Sequence, residues 1–112
     1  GVPPMAVVIF EMILNATSLF NHGNVFIPKT FDRLLRYIIV TPDMHRIHHS
    51  TIVDETNSNY GFSVSLWDRL CGTYKKSSKL GQLDMELGLK EFRDQNKLGI
   101  LKLITFPFYE KE

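Results

Sequence analysis

The stretch Thr41-Pro42-Asp43-Met44-His45-Arg46-Ile47-His48-His49 decides how this chain is read. Thr41 is a side-chain cap, Pro42 fits a first helical position without wasting a donor, and Asp43 favours the positive end of a helix dipole. The sequence therefore predicts a helix start here, and three of the four histidines of the chain lie within its next two turns. At about 100° per residue, His48 falls about 60° to one side of His45 and His49 about 40° to the other. All three imidazoles share one arc of about 100°, which one metal ion, or two adjacent ones, can reach without distorting the backbone.

The bland reading of such an arc is a solvated basic helix face. Three protonated histidines at this spacing would repel one another, so metal ligation is favoured. His45 and His49 stand at i and i+4, as in a zinc peptidase helix, but Arg46 occupies the place of the catalytic glutamate. A structural zinc site wants four closed ligands and ordinarily some thiolate, whereas Cys71 is alone. What remains is a histidine-rich site without sulfur, which suits redox-active iron. His22 lies in the break Asn21-His22-Gly23-Asn24. A turn histidine is ordinarily solvated or capping; beside the box it becomes a candidate ligand.

Outward from the box the chain reads as all-α. Met5–Leu19, entered through Pro3-Pro4, is an apolar helix interrupted by Glu11 and Asn15. It is either a soluble-core helix or the end of a membrane helix, and in the second case Glu11 and Asn15 are expected to point inward. A second helix is expected over Phe31–Val40, with Phe31, Leu34, Leu35, Ile38 and Ile39 on one face, and an amphipathic one over Phe62–Leu70. Asp54–Asn59 reads as a polar turn, 90–93 as a short helix at best, and Ile100–Tyr109 as an apolar segment broken by Pro107. The 112 residues make at most one domain, divided into 1–20 (helix end), 21–74 (metal-site region) and 75–112 (tail). A net charge of +1, with both signs interspersed, gives no reason to expect nucleic acid. One cysteine excludes an internal disulfide framework.

The box does not stand alone. It is followed by Asn59-Tyr60-Gly61 and then by Leu66-Trp67-Asp68-Arg69-Leu70-Cys71-Gly72-Thr73-Tyr74. This series resembles the fatty acid hydroxylase/sterol desaturase superfamily, whose pattern is HxxHH, then N-Y-G, then W-D-R-L-F-G-T-Y. Leu19-Phe20-Asn21-His22-Gly23-Asn24 is similar to the histidine–small residue–Asn element of that family. Gly88-Leu89-Lys90-Glu91-Phe92-Arg93 and Phe106-Pro107-Phe108 resemble its bacterial-type branch. Cys71 departs from the pattern, standing where an aromatic is usual.

The resemblance implies an integral membrane oxidase in which clustered histidines hold two irons. Such an enzyme uses O2 and an electron donor, such as a cytochrome or ferredoxin system, to attack a C–H bond of a lipid or sterol. On that basis His45, His48 and His49 are expected as iron ligands, with His22 a further one. The fold expected is a fragment of that all-α oxidase fold, short helices following the end of a membrane helix. The earlier boxes of the family, HxxxH and a second HxxHH, are absent, so the remaining ligands are expected on a segment upstream of Gly1. Asp43, Asp54, Glu55 and Asp68 are candidate acceptors for imidazole N–H groups, each otherwise a cap or surface charge. Trp67 is expected in the core or at a membrane interface. Arg33, Arg36, Arg46, Arg69, Lys75 and Lys76 suit a face turned to the cytoplasm. The alternative from another class is a small non-catalytic metal-binding module; a lipid-surface segment that binds no metal is a third.

Overall fold

A computed structural model of the chain describes residues 1–94 and 98–109. Six α-helices follow one another: α1 (Pro4–Asn21), α2 (Lys29–Leu35), α3 (Pro42–His48), α4 (Val53–Thr56), α5 (Leu66–Leu70) and α6 (Ile100–Tyr109), with a 3-10 turn over Lys90–Phe92 before the last. Among the described residues strand pairing is confined to two isolated antiparallel bridges, Ile39 with Val64 and Ser50 with Leu87. The all-α expectation holds.

α1 starts at Pro4 because proline's fixed φ and missing N–H cost nothing at a first helical position. Its 18 residues make a rod of about 27 Å, close to the thickness of a bilayer's hydrocarbon core. By length and composition it is the one described helix able to cross a membrane. Its apolar side chains, among them Ile9, Phe10, Met12 and Ile13, lie exposed, and Asn21 is its only buried residue. Glu11 and Asn15 are exposed too. The Asn15 amide donates to the Glu11 carbonyl at 2.8 Å, so its polarity is absorbed within the helix. α1 meets the rest of the chain only towards its C-terminal end. There Thr17 Oγ1 shares a 2.8 Å hydrogen bond with Ser63 Oγ, and the Asn21 amide donates to the Phe62 carbonyl.

Beyond α1 the helices are short, and a polar network packs them. Few apolar side chains are buried (Val40, Met44, Ile47 and Met85), while Asp32, Arg36, Thr41, Glu55, Asn59, Ser65 and Asp68 all are. α2 shows the consequence. It stops at Leu35 rather than running to Val40, and it buries Asp32 and Arg36 while Phe31, Leu34 and Ile38 face outward. The aligned apolar side chains thus lie outside, apart from half-buried Ile39. Asp32 accepts from Thr41 Oγ1 at 2.6 Å and pairs with Arg36 at 2.7 Å. The Arg36 carbonyl, which would continue the helix, accepts instead from Ser65 Oγ at 2.7 Å and Arg69 at 2.9 Å. Once that carbonyl is captured, the chain pairs sideways: Val40 N–H donates to Ser63 O and Ser65 N–H to Ile38 O.

The same pairing explains why α5 begins at Leu66 and not at Phe62, since residues 63–65 are occupied as a bridge. Trp67 and Leu70 on α5 are exposed, so Trp67 does not join a core within the described residues. The expected turn at Asp54–Asn59 contains a single helical turn, Val53–Thr56, and α6 runs through Pro107 instead of breaking there.

Candidate metal centre

α3 begins where the sequence places it. Thr41 is the N-cap, its hydroxyl accepting from Met44 N–H at 3.4 Å, and Pro42 opens the first turn. Met44 and Ile47 are fully buried and fix the helix's rotation, which turns His45 inward and leaves His49 at its C-terminal end. α1 packs against α3, and its C-terminal residue is followed at once by His22. Two helix ends therefore deliver histidines to one place.

His22, His45 and His49 converge there, with ligand atoms all within 4.8 Å of one another. His45 Nε2 lies 3.3 Å from His22 Nε2 and 3.1 Å from His49 Nε2. Two imidazoles bound to one ion through bonds of about 2.1 Å, at about 90–109° to each other, would stand about 3.0–3.4 Å apart. Each of these two spacings fits a pair of ligands on one ion, and a small inward turn of the exposed His22 and His49 rings would let all three share it.

Protonation supports the same use. The His22 Nδ1 lies 2.9 Å from the Ser18 carbonyl oxygen, which can only accept, so the proton sits on Nδ1 and Nε2 presents a lone pair. His45, 7% exposed, has its pKa pushed down to about 4, first by burial and then by the neighbouring His49, His22 and His48, with Asp68 opposing. Burial also lowers that of His49, followed by His48 and His22. Neutral imidazole is the ligand form, so the crowding that discourages protons prepares the site for a metal cation.

His48 departs from the expected arc. Its ring centroid is 5.7 Å from that of His45 and 5.3 Å from that of His49, but it is not one of the three converging ligands. The cause is local: its Nδ1–H donates to the Ser58 carbonyl at 3.0 Å, rotating the ring towards Tyr60. Its Nε2 is thereby freed as a lone pair, beside the triad and not within it. His22, the histidine least marked by spacing, is in the triad instead.

The carboxylates expected to orient imidazoles are engaged elsewhere. Asp54 pairs with Lys75, which lowers its pKa, and Asp43 faces Arg46 at 3.7 Å. Glu55 accepts from Lys79 N–H, and Asp68 binds the backbone of Tyr60 and Gly61. The orienting acceptors are the backbone carbonyls of Ser18 and Ser58, which residue types do not advertise. His45 Nδ1 is buried without a partner among the described residues. Cys71 is free and exposed, so no thiolate joins the site. His22 and His49 open onto a cleft of about 550 Å³ whose walls include Asn21, Asn24, Arg46, Gln82, Leu83, Met85 and Leu87.

The model of the fatty acid hydroxylase family matches residues 1–73, a stretch containing α1 and all four histidines. The chain belongs to the fatty acid hydroxylase family. Over 77 residues it is 34% identical to the ornithine lipid hydroxylase OlsE of Rhizobium tropici, a match covering 69% of this chain and 22% of that relative. The chain thus spans about a fifth of the length of the curated relative it matches. No solved structure matches it. For a fatty acid hydroxylase family member, the turn histidine His22 and the box on α3 fall inside the matched region, and the tail from residue 74 onward lies outside it.

Proposed function

We propose that this chain contributes part of the active site of a membrane-bound lipid hydroxylase that uses iron and O2. The observation that carries the reading is the convergence of His22, His45 and His49, with His45 Nε2 at ligand-pair spacing from each of the other two and all three ligand atoms within 4.8 Å of one another. His48, with its lone pair turned aside from that triad, is proposed as a ligand of a second, adjacent iron whose other ligands lie outside this chain. Bound iron would supply the O2 activation needed to attack an unactivated C–H bond.

The residues of this chain have definable tasks in that reaction. The Ser18 and Ser58 carbonyls hold two imidazoles in the tautomer that offers Nε2. The cleft at His22 and His49 brings the substrate to the site, its apolar wall at Leu83, Met85 and Leu87 suiting an acyl chain and Asn21, Asn24, Arg46 and Gln82 a polar headgroup. In this reading α1 is the anchor in the bilayer, and the basic residues Arg33, Arg46, Arg69, Lys75 and Lys76 favour a cytoplasmic face for the metal site. The reaction balances as R–H + O2 + 2e⁻ + 2H⁺ → R–OH + H2O, the electrons coming from a cytochrome or ferredoxin type of donor. The hydroxylase name of the Rhizobium relative favours an alcohol product over an alkene, and an acyl lipid over a sterol.

Labelling with ¹⁸O2 tests this. Membranes of cells expressing the protein should yield one lipid species carrying a single ¹⁸O atom, absent when His45 is replaced by Ala. Iron retained with no labelled lipid would leave the non-catalytic metal-binding module standing instead.

A further inference from the structure

His48 is the one histidine of the box whose ring is aimed by a loop and not by its own helix. That loop, residues 58–61, is held from both sides by buried polar side chains that the metal-site reading has not used. On one side is Asp68, 1% exposed. Its Oδ1 accepts from Tyr60 N–H at 2.8 Å and Thr73 Oγ1 at 2.6 Å, and its Oδ2 accepts from Gly61 N–H at 2.9 Å. No cation pairs with this carboxylate among the described residues. Gly61 is required for the approach, because a Cβ there would sit 2.6 Å from Oδ2 and 2.9 Å from the Val64 carbonyl.

On the other side is Asn59, fully buried, with a φ of +50° that asparagine tolerates better than most residues. Its amide donates to the carbonyls of Met44 and Lys75, each at 3.0 Å, while its Oδ1 accepts from Lys75 N–H at 2.8 Å. The Met44 carbonyl belongs to α3, immediately before His45. Asn59 thus ties the histidine helix to the segment at Lys75, and Asp68 fixes the next two residues of the same loop. The carbonyl of Ser58, directly before Asn59, is the acceptor for His48 Nδ1–H.

We infer that Asp68 and Asn59 are positioning residues of the metal site, which hold the Ser58 carbonyl against His48 and thereby set the tautomer and direction of that ring. The inference rests on the proposed role of His48 as a ligand. It also gives physical content to the sequence series N-Y-G and W-D-R-L: the first supplies a loop that only glycine lets close, and the second supplies the carboxylate that closes it. Losing such an outer partner of a metal-binding histidine typically costs about 10- to 100-fold in metal affinity.

The test uses the protein in detergent, labelled with ¹⁵N in its histidine rings, with Fe(II) as the titrated probe. In the metal-free protein His48 should show a single tautomer, protonated at Nδ1. Asp68→Asn places an amide N–H₂ against one of the backbone N–H donors. It should mix the His48 tautomers and weaken Fe(II) binding about 10- to 100-fold, while Thr73→Ser, which keeps the hydroxyl donor, should leave both unchanged. Should Asp68→Asn fail to fold, Asn59→Gly keeps the positive φ while removing the three tethers, and should give the same two changes. If His48→Ala loses iron but folded Asp68→Asn and Asn59→Gly retain the wild-type tautomer and affinity, the positioning role is overturned by itself. If His48→Ala binds Fe(II) as tightly as wild type, the ligand reading of His48 is overturned first.

Discussion

At the scale of the residue, the site depends on imidazoles that stay neutral while crowded. A histidine whose folded-state pKa is depressed loses stability for the protein as pH falls, because the unfolded chain takes up the proton first. For His45 the window runs from 6.5, the ordinary value, down to about 4. His49 is shifted in the same direction. The metal-free protein should therefore keep a constant melting temperature above pH 6.5, become less stable as pH drops towards 4, and stop losing stability on this account below it. His45→Gln should reduce that slope across the whole window and leave the part due to His49, and thermal unfolding across pH with and without the substitution reads the difference directly. Gly61 gives a second residue-scale expectation. Gly61→Ala drives a methyl group into Asp68 Oδ2 and the Val64 carbonyl, and should cost about 1–3 kcal/mol in chemical denaturation. An unchanged midpoint would show that the loop has room the geometry denies it.

At the scale of the element, what could be read in the sequence was what neighbours along the chain determine. Thr41, Pro42 and Asp43 specify the start of α3 through its own first turn, and the structure puts it there. Pro3-Pro4 does the same for α1. What could not be read depended on partners far away. The apolar residues of α2 align on one face, but Asp32 and Arg36 are the residues taken inside, by Thr41, Ser65, Arg69 and Lys76. The arc of His45, His48 and His49 was a correct statement about a helix. It did not include the Ser58 carbonyl, which draws His48 aside, or the end of α1, which brings His22 in. The Thr41 hydroxyl joins the two classes, capping α3 and donating to buried Asp32. Thr41→Val preserves shape and removes both bonds, so it should destabilise by about 1–3 kcal/mol. Because α3 carries the box, metal retention on heating should fall in parallel.

At the scale of the whole molecule, the chain is more open than a compact domain of its length. Its radius of gyration is 17.0 Å, against about 13 Å for a compact domain of this length. Its accessible surface is 8747 Å², against about 6,300 Å² for a compact protein of this mass. Exposed apolar side chains lie on α1, on the outer face of α2, on Trp67 and Leu70 of α5, and on Leu101, Ile104 and Phe108 of α6. Such a surface wants lipid or further protein. Detergent-free preparations should aggregate; a monodisperse monomer in plain buffer would contradict a membrane setting. Ile9→Lys combined with Ile13→Lys should impair insertion, each charge costing about 2.5–3.5 kcal/mol at a helix centre, and leave the polar network around α3 intact.

The central claim is that His22, His45 and His49 grip iron together, and metal analysis of the purified protein tests it most directly. Wild-type protein should carry stoichiometric iron, and His45→Ala, lacking the Nε2 that lies against both partners, should lose it with the helical circular dichroism signal preserved. Iron bound equally well by the His45→Ala protein, or no iron in wild-type protein from iron-replete cells, would contradict it.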